Sequence, residues 1–144
     1  MEMGWIDAAT NPQGIREIFG EDIPPLVGVS LHEVTVGRDG PTLRLRLDLP
    51  TYPASPPVKW KRGGFNAVQV ELLFGGLTDL SLRGISTNML VDVHIETDGG
   101  LTLQVKSETV NMAAVAASVT ISRIEAYLDS ERESASVEDV RDQL

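Results

Sequence analysis

Cysteine is absent from the 144 residues. That excludes a disulfide framework and any thiolate metal site, and it fits a reducing compartment. Basic residues are in deficit, 12 against 21 acidic ones, which leaves a net charge of −9 and a pI near 4.6. Nucleic acid is therefore not expected as a direct ligand, because its phosphates need a basic patch. An acidic surface suits a basic protein partner, whose approach it would speed, and it serves solubility equally well. No apolar run approaches the ~20 residues that a membrane-spanning helix needs. The start, Met1 to Asp7, has neither the basic nor the apolar region of a signal peptide. No membrane segment is expected, and the chain reads as cytoplasmic.

The familiar signatures of catalysis are also missing. There is no Gly-x-Gly-x-x-Gly, no phosphate-loop lysine pattern and no Gly-x-Ser-x-Gly elbow. The glycine pairs Gly63-Gly64, Gly75-Gly76 and Gly99-Gly100 read as turn punctuation. No cofactor is implied.

What is present is strand grammar. In 42–49, Leu43, Leu45, Leu47 and Leu49 alternate with Arg44, Arg46 and Asp48, so the leucines face in and the polar set faces out. Arg38-Asp39-Gly40-Pro41 links this segment to a preceding strand over 29–37, a strong hairpin signal. Further alternation marks strands around 68–74, 80–82, 91–95 and 101–105, followed by 110–117 and 119–127. In 111–117 the period is ambiguous and helix is a live alternative; the regular spacing of turns favours strand. Ahead of the sheet, Asn11-Pro12 opens a short helix over about 11–19. Asn11 is placed to cap it, Ile15, Ile18 and Phe19 form its apolar stripe, and Gly20 ends it. Trp5 and Ile6 are expected on the same core. The fold class is mainly β: an antiparallel sandwich or curved meander of about eight strands in up-and-down order, with one short N-terminal helix. One β domain over 1–128 precedes an acidic tail over 129–144. In that tail Ser136 and Asp139 resemble a capping box, and Val137, Val140 and Leu144 are roughly helix-spaced.

Candidate sites are few. His94 sits between Asp92 and Glu96 on one strand face. A divalent ion there is disfavoured, because side chains two apart on a strand stand roughly 6.5–7 Å from each other and diverge with the twist. His32 lies where the alternation slips phase, Val29 and Leu31 on one parity and Val34 and Val36 on the other, so a β-bulge is expected. Catalysis at His32 would need partners converging from other strands. The basic concentration is Arg44, Arg46, Lys59, Lys61 and Arg62. It either meets an acidic partner or pairs with neighbours such as Glu71. Trp60, in a proline-rich loop between Pro57 and Gly63, either plugs the sheet or anchors a partner.

The blocks Ile18-Phe19-Gly20, Leu31-His32-Glu33-Val34, Arg38-Asp39-Gly40-Pro41 and Leu47-Asp48-Leu49-Pro50 come in this order. They are followed by Tyr52-Pro53, Pro56-Pro57-Val58-Lys59-Trp60 and Phe65-Asn66-Ala67-Val68-Gln69-Val70. In order and spacing this series resembles the immunity protein 50 family of bacterial polymorphic toxin systems, over 18–127. Gly84-Ile85-Ser86 departs from the pattern, which has an aromatic after the glycine. The resemblance implies a cytoplasmic antidote that binds and neutralises a cognate toxin domain encoded nearby, without catalysis. The binding surface is expected at Arg44 and Arg46, at Lys59, Trp60 and Lys61, and at Asp92 and Glu96. A small-ligand module with a pocket near Tyr52, Trp60 and Phe65 is the alternative, and exposed strand edges leave a homodimer open.

Overall fold

The computed structural model describes residues 4–132. Eight antiparallel strands form one sheet: β1 (Val29–Gly37), β2 (Thr42–Asp48), β3 (Ala67–Gly75), β4 (Asp79–Arg83), β5 (Leu90–Thr97), β6 (Leu101–Lys106), β7 (Asn111–Ala116) and β8 (Ser118–Tyr127). Every expected strand is present, and the ambiguous 111–116 segment is strand because Met112, Ala114 and Ala116 bury while Asn111, Ala113 and Val115 face out.

The strand order is β4-β7-β6-β5-β1-β2-β3-β8, which corrects the simple up-and-down reading. Two local meanders, β1-β2-β3 and β5-β6-β7, are joined where β1 meets β5 over a short stretch, Val29 with Val91 and Ser30 with Leu90. β8 crosses back to pair with β3, and β4 pairs with β7. Periodicity tells each strand which face to bury and says nothing about its neighbours. The apolar faces of both halves enter one core, from Leu43, Leu45, Val70, Leu72 and Phe74 to Val93, Leu103, Val105 and Met112.

Three short helices accompany the sheet. In α1 (Trp5–Ala8), Trp5 and Ile6 are buried in the shared core, and Trp5 Nε1 donates to the Pro24 carbonyl at 2.9 Å. α2 (Gln13–Phe19) buries Ile15 and Phe19, as its stripe requires. Asn11 does not cap it. Its side chain instead donates to the Ile121 carbonyl and accepts from the Ile121 amide, both at 2.8 Å, so it closes the outer edge of β8. The third helix, α3 (Val58–Gly63), lies in the proline-rich connection that sequence alone reads as loop.

The β1–β2 register shifts between Leu31 and Glu33, the expected bulge, with His32 as the extra residue. Of the expected tail, residues 129–132 fold back onto the sheet: Asn66 donates to the Asp129 and Arg132 carbonyls and accepts from the Asp129 amide. The capping box and helix expected around Ser136 lie outside the described residues.

Candidate functional site

Asp48 corrects the parity argument most sharply. It occupies an outward position on β2, yet it is 2% exposed. Four elements cover it. The bulge at His32 brings His32 Nε2 to 2.9 Å from Asp48 Oδ2. Gln69 on β3 donates from Nε2 to Asp48 Oδ1 at 3.0 Å. The Tyr127 hydroxyl, at the end of β8, donates to Asp48 Oδ2. Beside them the returning chain ties in, Arg132 donating to the Leu49 carbonyl at 3.2 Å and to the Asn66 carbonyl at 3.4 Å.

A buried carboxylate persists only when its lone pairs are met, and three donors meet this one. An ionised carboxylate only accepts, so the His32 nitrogen that faces it carries a proton. The network extends outward along the sheet. Arg46 Nη1 donates to Gln69 Oε1 at 3.2 Å, and Arg46 Nε pairs with Glu33 at 3.5 Å. Arg44 lies 4.0 Å from Glu71, the pairing that a surface of neighbouring strands would give.

Burial, first, and then the hydrogen bond to Asp48 and its negative charge hold the Tyr127 phenol well above the usual tyrosine range; the Asp129 charge adds to this and Arg132 opposes it. A phenol whose folded pKa lies above its unfolded value contributes stability that is whole below pH 10.0 and is lost as pH climbs toward the folded value. Tyr127→Phe removes that loss. Unfolding titrations above pH 10 are therefore expected to show the unsubstituted chain losing stability more steeply than Tyr127→Phe. Tyr52, whose phenol burial also pushes up, is common to both. Parallel curves would show that Tyr127 carries no such linkage.

The network holds an Asp–His pair on the outer face of the sheet. Among the described residues no serine or threonine hydroxyl hydrogen-bonds to His32.

The expected surface residues fall in three places. Arg44 and Arg46 lie on the outer face of β2 and are held by Glu71, Glu33 and Gln69. Lys59, Trp60 and Lys61 lie on α3, which connects the end of β2 to the start of β3 and packs beside β8. Lys59 and Lys61 are exposed, whereas Trp60 is half-buried against the core with its ring 6.2 Å from that of Tyr52. Asp92 and Glu96 lie on β5, in the other half of the sheet. Asp92 accepts from the Gly28 amide at 2.9 Å and so fixes the entry to β1, while Glu96 pairs with His94 at 2.8 Å. Of the three side chains of that face, His94 and Glu96 therefore meet each other, while Asp92 turns away to Gly28. Reasoning from sequence missed Asp48, Gln69, Tyr127 and Arg132 as a group; the phase slip at His32 was the available signal.

A cavity of about 490 Å³ sits against the proline-rich connection, between Glu17–Asp22 and Thr51–Ser55. Tyr52 lines it and Trp60 and Phe65 do not, and its carboxylates Glu17, Glu21 and Asp22 disfavour an anionic ligand. The Tyr52 hydroxyl is buried without a hydrogen-bond partner among the described residues.

A mainly antiparallel sheet with a polar network clamped on its outer face is built to hold a surface in one shape. The chain belongs to the Immunity protein 50 family, whose pattern matches residues 11–127. The comparisons with curated proteins and with solved structures found no match. Among the described residues no helix is long and apolar enough to cross a membrane.

Proposed function

We propose that this chain is a cytoplasmic antidote that binds the toxin domain of a neighbouring gene and neutralises it by occupying its surface, without turnover. The match to Immunity protein 50 over residues 11–127 carries this reading. The geometry supports a binding face at the α3 end of the β1-β2-β3-β8 half. α3 presents Lys59, Lys61 and Arg62 exposed and with no ion pair among the described residues. Trp60 is braced by Tyr52, and Arg46 is pre-oriented by two partners. Tryptophan and arginine are the residues that most often dominate interfaces, and side chains already held in place lose less entropy on binding.

The first test is a pull-down of the tagged chain from its native lysate, with the captured protein identified and expressed alone for toxicity. With that toxin in hand, calorimetry is expected to show Lys59→Glu/Lys61→Glu weakening binding by well over ~1 kcal/mol. Arg44→Glu/Arg46→Glu is expected to act in the same direction, and Glu96→Lys tests the β5 face without disturbing the Asp92–Gly28 bond. Unchanged affinity in all three rejects this choice of faces. A clean lane while the neighbouring toxin is expressed rejects the antidote reading itself.

A further inference from the structure

The two ends of the sheet are finished differently. At β8 the N-terminal segment closes the edge: Ala9 bridges Val119, the Thr10 amide donates to the Val119 carbonyl at 2.9 Å, and Asn11 satisfies both backbone groups of Ile121. At the other end β4 pairs with β7 on one side, and among the described residues no strand pairs with its outer side. An open edge is a row of unpaired amides and carbonyls that recruits another strand unless something blunts it. Proline, a bulge and a lysine are all absent from β4, Asp79-Leu80-Ser81-Leu82-Arg83.

The sequence of β4 is complementary to itself. Antiparallel pairing of two copies about Ser81 sets Asp79 opposite Arg83 twice and Leu80 opposite Leu82 twice. Asp79 and Arg83 are exposed, and neither forms an ion pair among the described residues. Leu80 and Leu82 lie opposite the buried Ala114 and Met112, so they belong to the core side of the sheet. Leu80 packs against the core, but Leu82 remains 49% exposed where the sheet stops. A second copy would continue the sheet and cover it. On the outer face Asp79 and Arg83 flank Ser81, so charge sets the register as well as the partner.

We propose that β4 is a self-pairing seam through which two copies of this chain join into one continuous antiparallel sheet with two-fold symmetry. The contact is isologous, and each substitution in it acts twice. This inference is independent of toxin binding, because it rests on β4 alone and α3 lies in the other half of the sheet.

Sedimentation equilibrium of the full chain alone, over a concentration series, tests it. A monomer–dimer equilibrium is expected. Asp79→Arg and Arg83→Asp each set like charges opposite one another twice, and each is expected to raise the dimer dissociation constant about tenfold or more. The combined Asp79→Arg/Arg83→Asp chain restores opposite charges at both positions and is expected to return the constant to within a few-fold of the original. Circular dichroism melts of the same proteins check that each remains folded. A monomer at every concentration, a dimer indifferent to the single reversals, or a double reversal that fails to restore pairing each overturns the seam.

Discussion

Asp48→Ala is expected to lower stability by about 2–4 kcal/mol. The substitution leaves the half-buried Tyr127 hydroxyl and Gln69 amide without the acceptor they meet at the buried Asp48 carboxylate. Each buried donor left unmade costs about 1–3 kcal/mol. His32 adds less, because its side chain is 37% exposed and can turn to solvent. Removing the carboxylate also relieves the cost of burying a charge, which pulls the total down. The donors win because two of them stay trapped by strand pairing: Gln69 faces Asp48 in the β2–β3 register, and Tyr127 pairs with Ala67 at the end of β8. Urea unfolding with m-values compared is the measurement. A concerted His32→Leu/Asp48→Leu/Tyr127→Phe replacement is expected to cost less than Asp48→Ala alone, since it removes three members of the network together and leaves Gln69 the pairing with Arg46. A change within ~0.5 kcal/mol for Asp48→Ala would show that the network is ornament on a sheet held by its core.

This network also marks the limit of what a single sequence discloses. All eight strands were legible, most from their own alternation and 111–117 from the regular spacing of turns, and β2 states its alternation with three leucines against four polar residues. The same alternation assigns Asp48 to water. It reports the side of the sheet and cannot report what else lies on that side. Here the cover comes from residues far along the chain, Tyr127 and Arg132, which reach Asp48 and Leu49 only because β8 returns to β3. That return is a long-range fact that no local pattern contains. The bulge was legible as a slip of phase at His32, and a bulge re-aims a side chain; its target was not. α3 was legible in principle. Pro56-Pro57 before it and Gly63-Gly64 at its end are the proline-first, glycine-last signature of a helix, and Gly64 does adopt the left-handed conformation there. Four prolines close together made the segment read as loop. Asn11 failed for another reason: a side chain that can cap a helix can equally close a strand edge, and β8 offered a pair of backbone groups at once.

Three of the blocks that carry the family resemblance meet in this network. Leu31-His32-Glu33-Val34 supplies His32 and Glu33, Leu47-Asp48-Leu49-Pro50 supplies Asp48, and the Asn66 to Val70 block supplies Gln69 and, through Asn66, the latch on residues 129–132. The polar residues of these blocks hold the outer face of the sheet in one shape, with Arg46 pointing outward from it and α3 beside it. A chain that acts by presenting a surface needs that surface fixed before the partner arrives, because ordering it on binding would subtract from affinity.

Gly84→Ala is expected to be at least as damaging as the loss of Asp48, for a purely steric reason. A Cβ at residue 84 would stand 1.7 Å from the Thr109 carbonyl oxygen and 2.8 Å from its carbon. Both are backbone atoms, so no side chain can swing aside. The residue also has φ of +86°, where an L side chain is strained by about 1–3 kcal/mol. Relief requires the segment after Arg83 to move away from the turn that carries Thr109, next to the Arg83–Asn111 pairing where β4 meets β7. The expected loss is about 3 kcal/mol or more by urea unfolding. Gly99→Ala separates the two causes: it has φ of +67° with nothing within 4 Å of its Cβ, so it carries the backbone strain alone. If the two substitutions cost the same, the close approach to Thr109 contributes nothing. If Gly84→Ala costs clearly more, that approach pins the end of β4, and the same substitution is then expected to weaken self-association, because a seam built on five residues needs its last one, Arg83, in register.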